Sequence, residues 1–171
     1  MVKLVKLEIK HLPAMRIIGK TIRPNLMNEN PIPAFWDQCF GDGTLTALEG
    51  LPESLLDSAY VGWMSDYNAD DGTFTYLCGM LMKPGTAAPE GLVFRDVPAC
   101  TVAIGWIQGP EKETYPVAHD YTQKALEEQG YKVDEEADWC MELYACPRFT
   151  QPNEAGEVIL DYYIPCRKKD G

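Results

Sequence analysis

Glu142 stands inside an apolar run, Trp139-Cys140-Met141-Glu142-Leu143-Tyr144. Its period-two alternation puts Cys140, Glu142 and Tyr144 on one face of a strand and Trp139, Met141 and Leu143 on the other. A carboxylate in such surroundings must be paired, solvated in a cavity or neutralised, because an isolated buried charge is expensive. The pattern fits either a solvent-facing strand position or the floor of a pocket. Aromatic residues on other predicted strands, among them Tyr60, Trp63, Tyr76 and Tyr163, are numerous enough to line one. A carboxylate ringed by aromatic faces suits a hydrophobic cation, each good cation–π contact contributing about 0.5–2 kcal/mol. Glu142 and Tyr144 are therefore the candidate ligand-binding pair, with Trp106, Trp36, Tyr67 and Tyr162 as candidate walls.

Other chemistries fit the residues less well. The loop Asp66-Tyr67-Asn68-Ala69-Asp70-Asp71-Gly72 spaces oxygen ligands as a calcium loop would. Its glycine falls one place late, however, and Leu77 stands where a bidentate glutamate is required, so a hairpin turn is expected. His11 and His119 have no Cys, Asp or His at zinc-ligand spacing. Gly41-Asp42-Gly43-Thr44 lacks the lysine of a phosphate loop, there is no GxSxG, and no cysteine neighbours a histidine. No metal and no cofactor is expected. The six cysteines are scattered without a CxxC pair and read as free thiols.

The elements that must position these residues sit in a chain of 171 residues, 46% apolar, with 26 acidic against 15 basic residues and a net charge of −11. A chain of this size buries a real core as one domain. Counterion release from phosphates needs clustered Lys and Arg, and the one basic run is Arg167-Lys168-Lys169, so a small-molecule partner is expected and not a nucleic acid. No segment approaches the roughly 18 apolar residues of a membrane span, and Met1–Lys6 does not read as a signal peptide; a cytoplasmic protein without a membrane partner is expected. Oligomeric state is not legible.

A shift of 85 residues lays Leu7–Ala14 on Leu92–Ala99, Ile17 on Val102, Ile22 on Ile107, Pro31 on Pro116 and Trp36 on Tyr121. The register predicts a duplication with halves 1–86 and 87–171 inside one domain, 1–171, and a ligand site between pseudo-symmetric copies. In the first half, strands are predicted over 3–9 and 15–22 around the turn at Leu12-Pro13. A helix follows from Pro31 with Ile32, Phe35, Trp36 and Cys39 on its packed face, then strands over 58–64 and 73–82. The second half reads as a strand pair over 92–106 broken by Gly109-Pro110, then a helix from Pro116 to Gln129 with Gly130 after it. Strands over 138–146 and 157–164 complete it, the last ended by Pro165.

This order, with Leu12-Pro13-Ala14-Met15-Arg16, Cys78-Gly79-Met80, Val97-Pro98-Ala99-Cys100, the Glu142-x-Tyr144 strand and the ending Tyr162-Tyr163-Ile164-Pro165, resembles the GyrI-like family, the effector-binding domain of certain AraC- and MerR-type regulators. The resemblance implies an α+β fold of two pseudo-symmetric SHS2-type halves, each an antiparallel sheet with one main helix, around a central cleft for lipophilic, often cationic compounds. It places Glu142 at the cleft floor with Tyr144 beside it. The first strand begins at the N-terminus with no helix-turn-helix before it, which reads as a stand-alone member. Some stand-alone GyrI-like proteins hydrolyse strained cyclopropane-containing compounds. In that alternative Glu142 activates water, Tyr144 hydrogen-bonds the substrate and Trp106 stacks on it. A gyrase-binding role and a haem-binding role have no specific residue behind them.

Overall fold

A computed structural model describes residues 1–27 and 29–170. Among them are nine strands and three helices, arranged as antiparallel sheet with helices packed on it: β1 (Lys3–Leu12), β2 (Met15–Ile22), α1 (Ile32–Gly41), α2 (Thr44–Glu49), β3 (Leu55–Ser65), β4 (Thr75–Met82), β5 (Val93–Val97), β6 (Cys100–Pro110), α3 (Glu111–Glu128), β7 (Tyr131–Val133), β8 (Trp139–Tyr144) and β9 (Glu157–Lys168). The chain forms two compact units. The first contains Met1–Leu12 and the chain from Cys100 onward, the second Pro13–Ala99.

These units do not coincide with the halves read from the sequence, and two prolines supply the physical reason. A two-residue hairpin needs a positive φ at its first central residue, which proline, fixed near −65°, cannot adopt. Pro13-Ala14 and Pro98-Ala99 therefore cannot close tight hairpins. β1 pairs with β6, Lys3 opposite Gln108, and β5 pairs with β2, Val97 opposite Met15. Each half thus gives its first strand to the other unit.

In the first unit the strand order is β1-β6-β9-β8, with β7 pairing the end of β9. α3 packs across β6 and β9, burying Ala118, Thr122 and Leu126. In the second unit the order is β3-β4-β2-β5. There α1 and α2 bury Phe35, Cys39, Leu45 and Leu48 against Ile18, Tyr76, Cys78 and Met80.

Four boundaries differ from the predicted ones. α3 begins at Glu111, so Pro116 lies inside it; the acidic Glu111 and Glu113 favour that N-terminus, and a proline this early removes one helical hydrogen bond. β6 continues through Gly109 to Pro110, paired with Val158 and Glu157. Pro165 does not end β9, because its carbonyl accepts the Asp134 N–H at 2.9 Å and β7 extends the pairing to Lys168. The Gly- and Pro-rich connection after α1 contains a further helix, α2, started by Asp42, whose carboxylate accepts the Thr44 N–H at 3.0 Å and its hydroxyl at 2.6 Å. All six cysteines are free thiols.

Candidate functional site

Strand register sets the surroundings of Glu142. It lies opposite Tyr162 on β9, and Tyr162 lies opposite Gly105 on β6, so the three share a face. That face carries α3: a Cβ on Gly105 would stand 2.2 Å from Thr122 Oγ1, so glycine is what lets the helix approach. Tyr162, only 4% exposed, reaches α3 through a 3.1 Å hydrogen bond between its hydroxyl and His119 Nδ1, and donates to Cys140 Sγ at 3.1 Å. Burial raises the Tyr162 hydroxyl well above its ordinary pKa and pushes the Cys140 thiol up to about 11, so neither is ionised at neutral pH.

Glu142 itself is half-buried and accepts the Tyr144 hydroxyl proton at 2.7 Å. Among the described residues no Lys or Arg forms an ion pair with it. Burial pushes its carboxyl up to about 7, partly opposed by the bond from Tyr144. A carboxyl poised there is close to half-ionised at neutral pH. It becomes a full anion when a cation comes within reach, and its pKa also suits proton transfer. The Tyr144 ring continues into an aromatic row: Phe149 lies 4.9 Å away, centroid to centroid, and Tyr115 of α3 6.4 Å beyond.

Of the other candidates, Trp106 lies in the same unit as Glu142, and Trp36 and Tyr67 belong to the second unit. Trp106 pairs with Asp161, which pairs with Leu143, and so points to the face opposite Glu142. There its ring lies between Lys6 Nζ at 4.5 Å and the Arg148 guanidinium at 4.2 Å. Arg148 in turn forms a bidentate pair with the buried Asp161, its Nε at 2.8 Å from Oδ1. The expected stacking role for Trp106 beside Glu142 is thus incompatible with the register. Trp36, on α1 in the second unit, donates its indole N–H to Tyr76 Oη at 2.8 Å. Tyr67, also in that unit, is 64% exposed in the loop after β3. Glu142, Tyr144 and Tyr162 are the predicted residues that come together.

Sequence reasoning missed Phe149, Tyr115 and His119 as neighbours of this group. Cys140 was legible on the Glu142 face from alternation. Tyr115, His119 and Thr122 follow helical spacing on α3, which marks a common side but not the strand it covers. Phe149, in the turn after β8, carries no periodic signal at all.

Residues 6–167 match the GyrI-like small molecule binding domain. No curated protein matches the chain. Solved structures that share its fold include the following three. SAV2435 bound to tetraphenylphosphonium has 14% identity and a TM-score of 0.62, covering 95% of this chain and 94% of its own. The EcmrR C-terminal domain has 16% identity and a TM-score of 0.57, covering 96% and 98%. A hydrolase encoded by lin2189 from Listeria innocua has 12% identity and a TM-score of 0.54, covering 95% and 92%.

Proposed function

The chain belongs to the GyrI-like family of small-molecule-binding domains, and from that premise we propose that it captures lipophilic aromatic cations at Glu142, as a binding or sequestration module for drug- or toxin-like compounds. The observation that carries this reading is the Glu142 carboxyl: half-buried, held near pKa 7, with no Lys or Arg ion-paired to it among the described residues, and adjoining the Tyr144–Phe149–Tyr115 row. An incoming organic cation supplies the missing counter-charge, and the rings replace the water it sheds. The net charge of −11 raises the local concentration of such ligands. The tetraphenylphosphonium carried by the similar SAV2435 is a compound of this class. Trp106, on the opposite sheet face, takes no part.

Calorimetric titration with tetraphenylphosphonium tests the proposal. Binding scales with the ionised fraction of Glu142, so wild-type affinity rises about tenfold from pH 6 to pH 8 around a pKa of about 7. Glu142→Gln binds at least tenfold more weakly at pH 8 and shows no pH dependence. Equal affinity and equal pH response in the two proteins would overturn the assignment.

A second reading draws on the same carboxyl. A glutamate near pKa 7 with a tyrosine hydroxyl at 2.7 Å is a competent general base for water, and the fold likeness to the Listeria innocua hydrolase is compatible with it. Mass spectrometry of cyclopropane-containing compounds incubated with wild type and Glu142→Gln separates the two: a water adduct made by wild type alone identifies an enzyme, and unchanged mass with saturable binding a binder.

A further inference from the structure

Two of the cysteines meet inside the second unit. Cys39 lies in the last turn of α1 and Cys78 in the middle of β4, both fully buried and both part of the core that α1 and α2 close against the sheet. Their thiols stand within hydrogen-bonding reach of each other. Helix and strand thus bring two sulfurs together from positions far apart in the chain.

A polar latch runs beside them. Lys20 of β2 stands directly opposite Cys78 and so shares its sheet face, and the Lys20 ammonium reaches Asp42, the residue that caps the end of α1, at 2.6 Å. The ion pair is partly exposed, its side chains at 32% and 26%, whereas the thiols beneath it are sealed from water. Burial raises both thiols above their ordinary pKa, and at Cys39 the nearby Lys20 offsets part of that rise. The thiolate is the reactive form, and helix ends open more readily than strand centres. Cys39 is therefore the sulfur that reacts first, once the last turn of α1 parts from Lys20.

We propose that Cys39 and Cys78 form a redox modification site, closing to a reversible disulfide under hydroperoxides, with the Lys20–Asp42 pair as the latch that controls access. The Cys39 thiolate attacks one peroxide oxygen; an S–O bond forms, the O–O bond breaks, and the departing alkoxide takes up the proton the thiol released, leaving an alcohol and a sulfenic acid. Cys78 sulfur then displaces that oxygen from Cys39; an S–S bond forms, the S–O bond breaks, and hydroxide leaves with the Cys78 proton as water. Two thiols are oxidised, the hydroperoxide is reduced to alcohol and water, and a thiol reductant restores the pair by exchange. The crosslink fastens α1 to β4 and stands independently of Glu142.

Peptide mapping of the full chain tests the site. Reduced protein is treated with tert-butyl hydroperoxide, digested without reduction and read by mass spectrometry. A peptide linking Cys39 to Cys78, two hydrogens lighter than its parts and abolished by dithiothreitol, is expected, and the oxidised protein unfolds about 5 °C or more above the reduced one. Lys20→Met opens the latch and speeds the crosslink about threefold. Cys146→Ser, which removes an exposed thiol, leaves the rate unchanged. In Cys78→Ala the partner sulfur is gone, and Cys39 accumulates as a sulfenic acid trapped by dimedone. Cys39 and Cys78 that stay reduced or pair with other cysteines, or a linked peptide that forms only in denaturant, would overturn the site. A rate unmoved by Lys20→Met would overturn the latch.

Discussion

The two units place different chemistry in the same frame. In each, a helix lies on antiparallel sheet and a ring nitrogen of that helix hydrogen-bonds a buried tyrosine: Trp36 Nε1 to Tyr76 in the second unit, His119 Nδ1 to Tyr162 in the first. Opposite Tyr76 on the adjacent strand stands Met64; opposite Tyr162 stands Glu142. Strand order and tyrosine partner thus run parallel in the two units. One cross-strand position then decides polarity. With methionine the second unit closes as an apolar core, and with glutamate the first unit retains a carboxyl without a counter-ion.

The largest effects come from the glycines that bring elements together. Gly105→Ala drives a methyl into Thr122 on α3, whereas Gly19→Ala, on β2 opposite Gly79, drives one to 1.9 Å from the Cys78 carbonyl oxygen. Each costs about 3 kcal/mol or more in denaturant unfolding. They differ in rescue. Among the described residues the buried Thr122 hydroxyl has no hydrogen-bond partner, so Thr122→Ala is cheap by itself and recovers part of the Gly105→Ala loss. Gly19→Ala has no side chain to trim. Equal failure of rescue in both units would mean that α3 approaches its sheet through other contacts.

Exchanging the two cross-strand residues tests the polarity argument directly. The Glu142 carboxyl, pushed up to about 7 in the folded state from an ordinary 4.5, binds more protons folded than unfolded between those values. Stability therefore falls as pH rises from about 4.5 to about 7 and is flat above. Glu142→Met, which copies the second unit, removes that slope and raises stability at pH 8 by about 1–3 kcal/mol, while losing the cation. The reverse exchange, Met64→Glu, costs about 2 kcal/mol at pH 8 and less at pH 4. Thermal melts across pH read both, and a wild-type curve without a slope between pH 4.5 and 7 would contradict the assigned environment of Glu142.

The smallest expected effects belong to the ring-to-tyrosine bonds. His119→Phe and Trp36→Phe each remove one hydrogen-bond partner of a buried phenol and cost about 1 kcal/mol. His119→Phe also alters cation affinity by less than threefold, because His119 meets Tyr162 and not Glu142. A loss as large as that of Glu142→Gln would place His119 against the ligand.

Much of the first unit's site was legible. Period-two alternation over 138–146 put Cys140, Glu142 and Tyr144 on one face, and two residues sharing a face of one strand stand close enough for the Tyr144–Glu142 bond. Helices α1 and α3 and most strands follow from periodicity, and the turns from Gly and Pro, whereas α2 and β7 carry too few residues for a periodic signal. Partnership between elements was not legible. Trp106 reads as a candidate wall of the Glu142 site from composition alone; the face it takes is set by its pairing with Asp161 on β9, the strand between it and Glu142. β1 looked like the natural partner of β2 because they adjoin in sequence, yet the two prolines deny that hairpin.

The sequence by itself determined the type and rough span of most elements, which residues share one of their faces, the acidic balance and the carboxylate in an apolar strand, since composition is local and backbone geometry repeats within a few residues. Tertiary structure alone decided that Glu142 faces Tyr162 beneath α3, that Phe149 joins Tyr144, that Trp106 turns away, and that the carboxyl titrates near 7. Strand register and desolvation are set by residues distant in the chain, and a one-residue slip in pairing would send every side chain to the other face.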